Sequence, residues 1–157
     1  MKKRYYLAYG SNLNIEQMAY RCPDAVPVGT GAIPGYELLF KGSKTGAYLT
    51  IEKAADSFVP VAVWAVTPED EAALDRYEGC PRFYYKTELT IIMRETVGGK
   101  LRGVKAFVYI MHEDREPALP RGGYVNICAR GYQAFNFNPD ALRRAIARTK
   151  ELINERH

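Results

Sequence analysis

Tyr5-Tyr6-Leu7-Ala8-Tyr9-Gly10-Ser11-Asn12-Leu13 reads as a short apolar strand that halts at three turn residues. Aromatic residues at its start favour extended chain. Gly10, Ser11 and Asn12 favour a turn for three different reasons: backbone freedom, a hydroxyl and an amide that bond nearby main chain. Asn14 then starts a helix. A strand–turn–helix junction turns backbone N–H groups outward, where an anion can sit. The junction is therefore expected to hold a substrate, with the rest of the chain bringing a catalytic group to it.

Outward from the junction, Asn14 to about Arg21 reads as a short helix with Ile15, Met18 and Ala19 on its apolar side, ended by Cys22-Pro23-Asp24. Ala25 to Phe40 reads as extended chain bent at Pro34-Gly35, and Lys41 to Gly46 as a turn-rich loop. Strands are expected at Ala47 to Glu52 and at Phe58 to Val66, the second covered on both faces. Thr67-Pro68-Glu69-Asp70 opens a helix with a cap, a proline at the first position and acids at the positive end of the dipole. Ala73, Leu74 and Tyr77 point inward, and Gly79 stops it. Tyr84 to Arg94 and Leu101 to Met111 alternate as a hairpin about Val97-Gly98-Gly99-Lys100, with Leu89, Ile91 and Met93 on one side. A loop follows from Glu113 to Gly123, then a helix from Tyr124 to Phe135. A last helix, capped by Asn138 with Pro139 at its first position, runs to about Asn154. Residues 1–157 show no repeat or linker and are expected to form a single α+β domain.

Composition narrows the function. At 157 residues, 47% hydrophobic and 25% charged, the chain suits a soluble domain with a sizeable core. Its 12 tyrosines are either strand residues at a core edge or walls of a half-buried pocket. A net charge of +4 is too mild to point to nucleic acid. The basic cluster Arg143, Arg144, Arg148 and Lys150 alternates with Leu142, Ile146 and Ile153, as the solvated face of an amphipathic helix does. Cys22, Cys80 and Cys128 form no C-x-x-C pair, and only His112 and His157 accompany them, so neither a disulfide framework nor a metal site is expected. No apolar run suits a membrane span, and Met1-Lys2-Lys3-Arg4 is followed too soon by polar residues for a signal peptide. The expected compartment is the cytoplasm.

One carboxylate is misplaced for stability. Glu78 ends its helix at the negative pole of the dipole, where an acid is disfavoured by about 0.3–1 kcal/mol. Residues that break a local rule are candidates for function. The same pole, with burial against Tyr84 or Tyr85, would raise its pKa and suit it to accept a proton. The residues leave a second reading open: Glu78 solvated at a frayed end, and Gly10-Ser11-Asn12 an ordinary turn. Other chemistries lack a motif. There is no phosphate loop, Ser11 has no positioned histidine, and nothing in the context of Cys80 and His112 marks a thiolate site.

Tyr6-Leu7-Ala8-Tyr9-Gly10-Ser11-Asn12-Leu13, followed some sixty residues later by Leu74-Asp75-x-x-Glu78-Gly79, resembles the γ-glutamylcyclotransferase family, including the γ-glutamylamine cyclotransferases. Tyr85, seven positions after Glu78, fits the same pattern, and Tyr124-Val125-Asn126-Ile127-Cys128-Ala129-Arg130-Gly131 resembles the segment that closes the family's pocket. The glutathione-specific branch is a poorer match. The resemblance implies a small mixed β-barrel flanked by helices. It implies a cavity walled by Tyr9, Gly10, Ser11, Asn12 and Leu13 and by Tyr85 and Tyr124, with Glu78 as the catalytic base and acid. The implied reaction converts a small-molecule γ-glutamyl amino acid or amine to 5-oxoproline and a free amine, a step of glutathione metabolism, in a monomer or homodimer without cofactor or metal. Two alternatives stay open: a non-catalytic module that binds a small anion, and an enzyme that removes a γ-glutamyl protecting group in a biosynthetic pathway.

Overall fold

The computed structural model describes residues 3–43 and 45–156. Met1 and Lys2 of the basic start, Lys44 of the expected loop and His157 lie outside the described residues. The strands are β1 (Arg4–Ala8), β2 (Val26–Ser43), β3 (Gly46–Val66), β4 (Tyr84–Glu95) and β5 (Leu101–Met111). They close into a barrel in the order β1-β3-β2-β4-β5. Helices α1 (Ile15–Arg21), α2 (Pro68–Glu78), α3 (Gly122–Ala134) and α4 (Asp140–Glu155) flank it, making the fold α+β. Neighbouring strands run antiparallel except where β1 meets β5, in parallel, at Tyr6 and Phe107. Within the closed part each strand is paired on both sides, which removes the open edges at which other chains could pair.

One long hairpin replaces several expected pieces. The strands expected at 47–52 and 58–66 are one strand, β3, because β2 pairs along it from Val26 opposite Ala65 to Ser43 opposite Gly46. The expected loop from Lys41 to Gly46 shrinks accordingly, since Lys41 and Gly42 pair with Tyr48 and Ala47. Lys41 is buried, ion-paired with Glu52, and donates to the Glu113 carbonyl at 2.9 Å. The bend at Pro34-Gly35 is present: Gly35 has φ 75°, and the register shifts between Pro34 and Tyr36. Beyond the bend the hairpin is an arm held by its neighbours. Phe40 N–H donates to Thr149 Oγ1 at 3.0 Å, Arg148 pairs with Glu37 at 3.0 Å, and Gly42 N–H reaches the Glu116 carbonyl at 2.8 Å.

Helix α2 forms as its residues dictate. Thr67 Oγ1 accepts from Asp70 N–H at 3.1 Å while the Asp70 carboxylate accepts from Thr67 N–H at 3.3 Å, a reciprocal cap. At its other end Gly79 sits at φ 63°, and Cys80 N–H closes on the Asp75 carbonyl at 2.9 Å. Thr67→Ala is expected to cost about 1–2 kcal/mol of stability by urea denaturation, since it also leaves the buried Asp70 N–H without its acceptor.

Helices α3 and α4 differ in their starts. Helix α3 begins at Gly122, two residues before Tyr124. Helix α4 is assigned from Asp140, yet the Asn138 side chain accepts from Asp140 N–H at 3.0 Å and Pro139 already has helical φ −66° and ψ −12°, so Asn138 acts as the cap with Pro139 in the first turn, as expected. The buried stripe of α4 is Ala141, Leu142, Ala145 and Thr149, while Ile146 and Ile153 are half-buried and Arg143, Arg144 and Lys150 are exposed. Among the described residues, no helix is long and apolar enough to cross a membrane.

Candidate active site

Strand β1 ends at Ala8, and Ser11–Leu13 form a single 3-10 turn before α1. The expected anion site at the start of α1 is therefore displaced. That start is closed by Asn14, whose side chain accepts from Gln17 N–H at 3.0 Å. The N–H groups of Gly10, Ser11 and Asn12 belong to the 3-10 turn instead, and they donate to no carbonyl among the turn and loop bonds of the described residues. The first N–H groups of any helical turn lack a partner within it.

The turn lies on a cavity of about 360 Å³. Tyr9, Gly10, Ser11, Asn12, Glu78 and Tyr124 all line it, so six residues singled out from the sequence meet in one place. The remaining wall is mostly aromatic: Tyr6, Tyr48, Tyr77, Phe83, Tyr84 and Tyr109. The tyrosines are held by their hydroxyls. Tyr9 donates to the Tyr109 carbonyl at 2.6 Å, Tyr84 to the Leu49 carbonyl at 2.7 Å, and Tyr109 to Asp75 Oδ1 at 2.5 Å. Tyr124 accepts from Leu49 N–H at 3.0 Å, and its oxygen lies 3.3 Å from where a Cβ on Gly10 would stand. A side chain at position 10 would crowd that oxygen, which is the physical use of a glycine there.

Glu78 is the last residue of α2 and is half-buried. Burial pushes its carboxyl from 4.5 up to about 8, with the positive field of Arg21 opposing the rise. The ordered cap at Gly79 excludes a frayed, solvated end. Among the described residues Glu78 forms no ion pair or hydrogen bond, so its oxygens are available to a guest. Burial likewise pushes Tyr6, Tyr9, Tyr84 and Tyr124 well above the ordinary phenol range, with the charge of Glu78 adding to the rise. Each therefore stays a neutral hydroxyl.

Two expected wall residues lie elsewhere. Leu13 is fully buried and packs beneath α3, where a Cβ on Gly131 would meet its Cβ at 2.4 Å. Tyr85 donates to Glu113 Oε2 at 2.6 Å and lies against His112 with the rings tilted by 50°, outside the cavity lining. Tyr84 takes its place. Side chains alternate along a strand, and Lys86 and Tyr109 mark the face of the β4–β5 hairpin turned toward α2, through Glu71 and Asp75. Tyr84 shares that face with Lys86. Tyr85 shares the opposite one with Leu89, Ile91 and Met93, a parity already visible in the alternation of the hairpin. His112 bonds the Pro81 carbonyl at 2.7 Å, and Cys80 does not join it.

Sequence reasoning missed Arg21, which joins three parts of the site. It donates to Asn12 Oδ1 and, at 2.9 Å, to Gln17 Oε1, and its guanidinium lies 3.3 Å from the centre of the Tyr77 ring. Nothing in the local pattern distinguishes it from any basic residue ending a helix.

The family described as gamma-glutamyl cyclotransferase, AIG2-like, matches residues 6–126. Comparison with curated proteins yields no match. Among solved structures, the chain is similar to one titled "Gamma-glutamyl cyclotransferase", at 24% identity and TM-score 0.79, over 92% of this chain and 86% of that one. An uncharacterized protein from Homo sapiens is similar at 24% identity and TM-score 0.76, over 92% and 87% of the two chains. A glutathione-specific cyclotransferase from yeast matches at 13% identity and TM-score 0.58, over 92% and 97%. Identities this low speak for the shared fold, and the family match spans most of the barrel together with both halves of the cavity wall. The chain belongs to the gamma-glutamyl cyclotransferase, AIG2-like family.

Proposed function

We propose that this protein cyclises a γ-glutamyl amino acid or γ-glutamyl amine to 5-oxoproline, with Glu78 moving the proton. The observation that carries the reading is the unpartnered carboxyl of Glu78 in the same cavity as the free N–H groups of Gly10, Ser11 and Asn12. The substrate supplies its own nucleophile. Its α-amine, in the neutral form, attacks its own γ-carbonyl carbon to form the ring bond and gives a proton to the Glu78 carboxylate. The carbonyl electrons move to oxygen as an oxyanion. When they return, the bond from that carbon to the departing nitrogen breaks, and Glu78 returns its proton to that nitrogen. The products are 5-oxoproline and a free amine, with no net gain or loss of protons at Glu78. A carboxyl near 8 suits both halves of the task, because acid–base catalysis works best with a pKa near the working pH.

The loop and the rings position the substrate. The N–H groups of Gly10–Asn12 suit the α-carboxylate or the developing oxyanion. Folding a γ-glutamyl chain back on itself costs entropy that a shaped cavity removes in advance. Tyr9, Tyr84 and Tyr124, fixed by their hydroxyl bonds, provide rigid walls. The test is a panel of γ-glutamyl dipeptides, γ-glutamyl amines and an ε-(γ-glutamyl)lysine, assayed for 5-oxoproline. Turnover of at least one member is expected. Tight binding across the panel without any product would instead favour an anion-binding module on this fold.

A further inference from the structure

Three features lie outside the reaction. The shallow groove at Arg82, His112 and Arg115 mixes both charges and shows no buried polar anchor. The buried Lys41–Glu52 pair is engaged in holding the arm. Arg21 contacts the cavity wall in two directions at once and has no part in the mechanism above.

We propose that Arg21 is a positioning residue: one guanidinium locks the Asn12 side chain and the Tyr77 ring into the cavity wall and sets a positive charge within reach of Glu78. The inference rests on the reading of Glu78 as the base. The locking is direct. Asn12 receives Arg21 on its oxygen and donates from its nitrogen to the Tyr6 hydroxyl at 2.9 Å, so its amide orientation is fixed from both ends. Tyr77 lies under the guanidinium and holds the Ser11 hydroxyl at 3.0 Å. Turn, α1 and α2 are thus stitched together at a half-buried site, where a planar cation over a ring is worth more than on an open surface. Gln17, one turn back on α1, takes the other end of the fork and sets its plane.

Glu78 is faced mostly by neutral groups. From β1 comes Tyr6, from the residue just after it Tyr9, from β4 Tyr84, from β5 Tyr109 and from α3 Tyr124, all neutral hydroxyls. Cys80, just beyond α2, is held as a neutral thiol by partial burial. Asp75, one turn earlier on α2, is paired with Lys86 at 3.0 Å. Arg21 is left as the charged group that favours the ionised form of Glu78 against burial.

The test follows the Glu78 carboxyl by carbon NMR across a pH titration without substrate, beside the 5-oxoproline assay. Arg21→Met is expected to move the Glu78 titration up by about one pH unit and to shift the rising limb of kcat/KM by the same amount. Arg21→Lys retains the charge but not the fork, so the titration should stay near its native position while KM rises as Asn12 loosens. A Glu78 titration that is unmoved in folded Arg21→Met overturns the charge role, and a native KM in Arg21→Lys overturns the locking role. If Arg21→Met does not fold, Arg21→Gln carries the same comparison. A wild-type protein that forms no 5-oxoproline would sink the cyclotransferase reading while leaving the NMR comparison decisive for Arg21.

Discussion

Glu78→Gln is expected to lower kcat for 5-oxoproline release by roughly 10²–10⁴-fold and, at alkaline pH, to make the protein more stable. The two effects have one cause. Burial raises the folded-state pKa of Glu78 from 4.5 to about 8. Between those values the folded protein keeps a proton that the unfolded chain releases. Stability therefore falls as pH rises from about 4.5 through 8, and the loss is complete above that window. Glutamine cannot ionise, so it escapes the loss. The gain should be about 2 kcal/mol near pH 9, discounted for the water a half-buried carboxyl retains, and should vanish below about pH 4. Thermal melts of both proteins at the two pH values, with kcat measured on the same samples, check it. Lower stability of the glutamine variant at both pH values would mean that the Glu78 carboxylate has a structural partner. Native kcat would remove Glu78 from the mechanism. The native enzyme's kcat/KM should rise with pH toward about 8, since the reaction needs the ionised carboxyl.

Gly131→Ala is expected to cost about 2–3 kcal/mol of stability and to raise KM, although it adds one methyl group to a helix. A Cβ at that position would stand 2.4 Å from Leu13 Cβ, 2.5 Å from the Leu13 carbonyl carbon and 2.8 Å from Asn14 N. Two of those atoms are backbone, so the cavity turn itself must move. The Asn14 side chain, which donates to the Ile127 carbonyl at 3.1 Å, ties the same turn to α3 and would move with it. Gly123 in the same helix meets nothing within 4 Å of an added Cβ, so Gly123→Ala should be neutral or stabilising by up to about 1 kcal/mol. Urea denaturation of the pair, with KM for the preferred panel substrate, separates loss of helix from loss of the turn.

These particular residues show where the sequence was legible. Local rules placed Thr67, Pro68 and Gly79 correctly because cap chemistry acts within a few residues. The loop and Glu78 were found together through a shared pattern, and the cavity joins them. Motif spacing points to Tyr85, whereas strand parity governs and brings Tyr84 to the cavity. Residues 53–57 carry little apolar alternation, so local pattern divides β3 in two, and pairing with β2 overrides that weakness. Arg21 was invisible because its meaning comes from Asn12, Tyr77 and Glu78, which approach it only in the folded chain.

The parallel contact of β1 with β5 governs when the cavity comes into being. The bond from the Tyr9 hydroxyl to the Tyr109 carbonyl spans 100 residues. Contacts of such separation are slow to form, and a chain emerging from the ribosome cannot make them until the later partner is out. The cavity wall thus awaits β5, and Tyr124 and Gly131 emerge later still. A nascent or truncated chain thus carries Glu78 well before it carries Tyr109 and Tyr124, which complete the cavity wall.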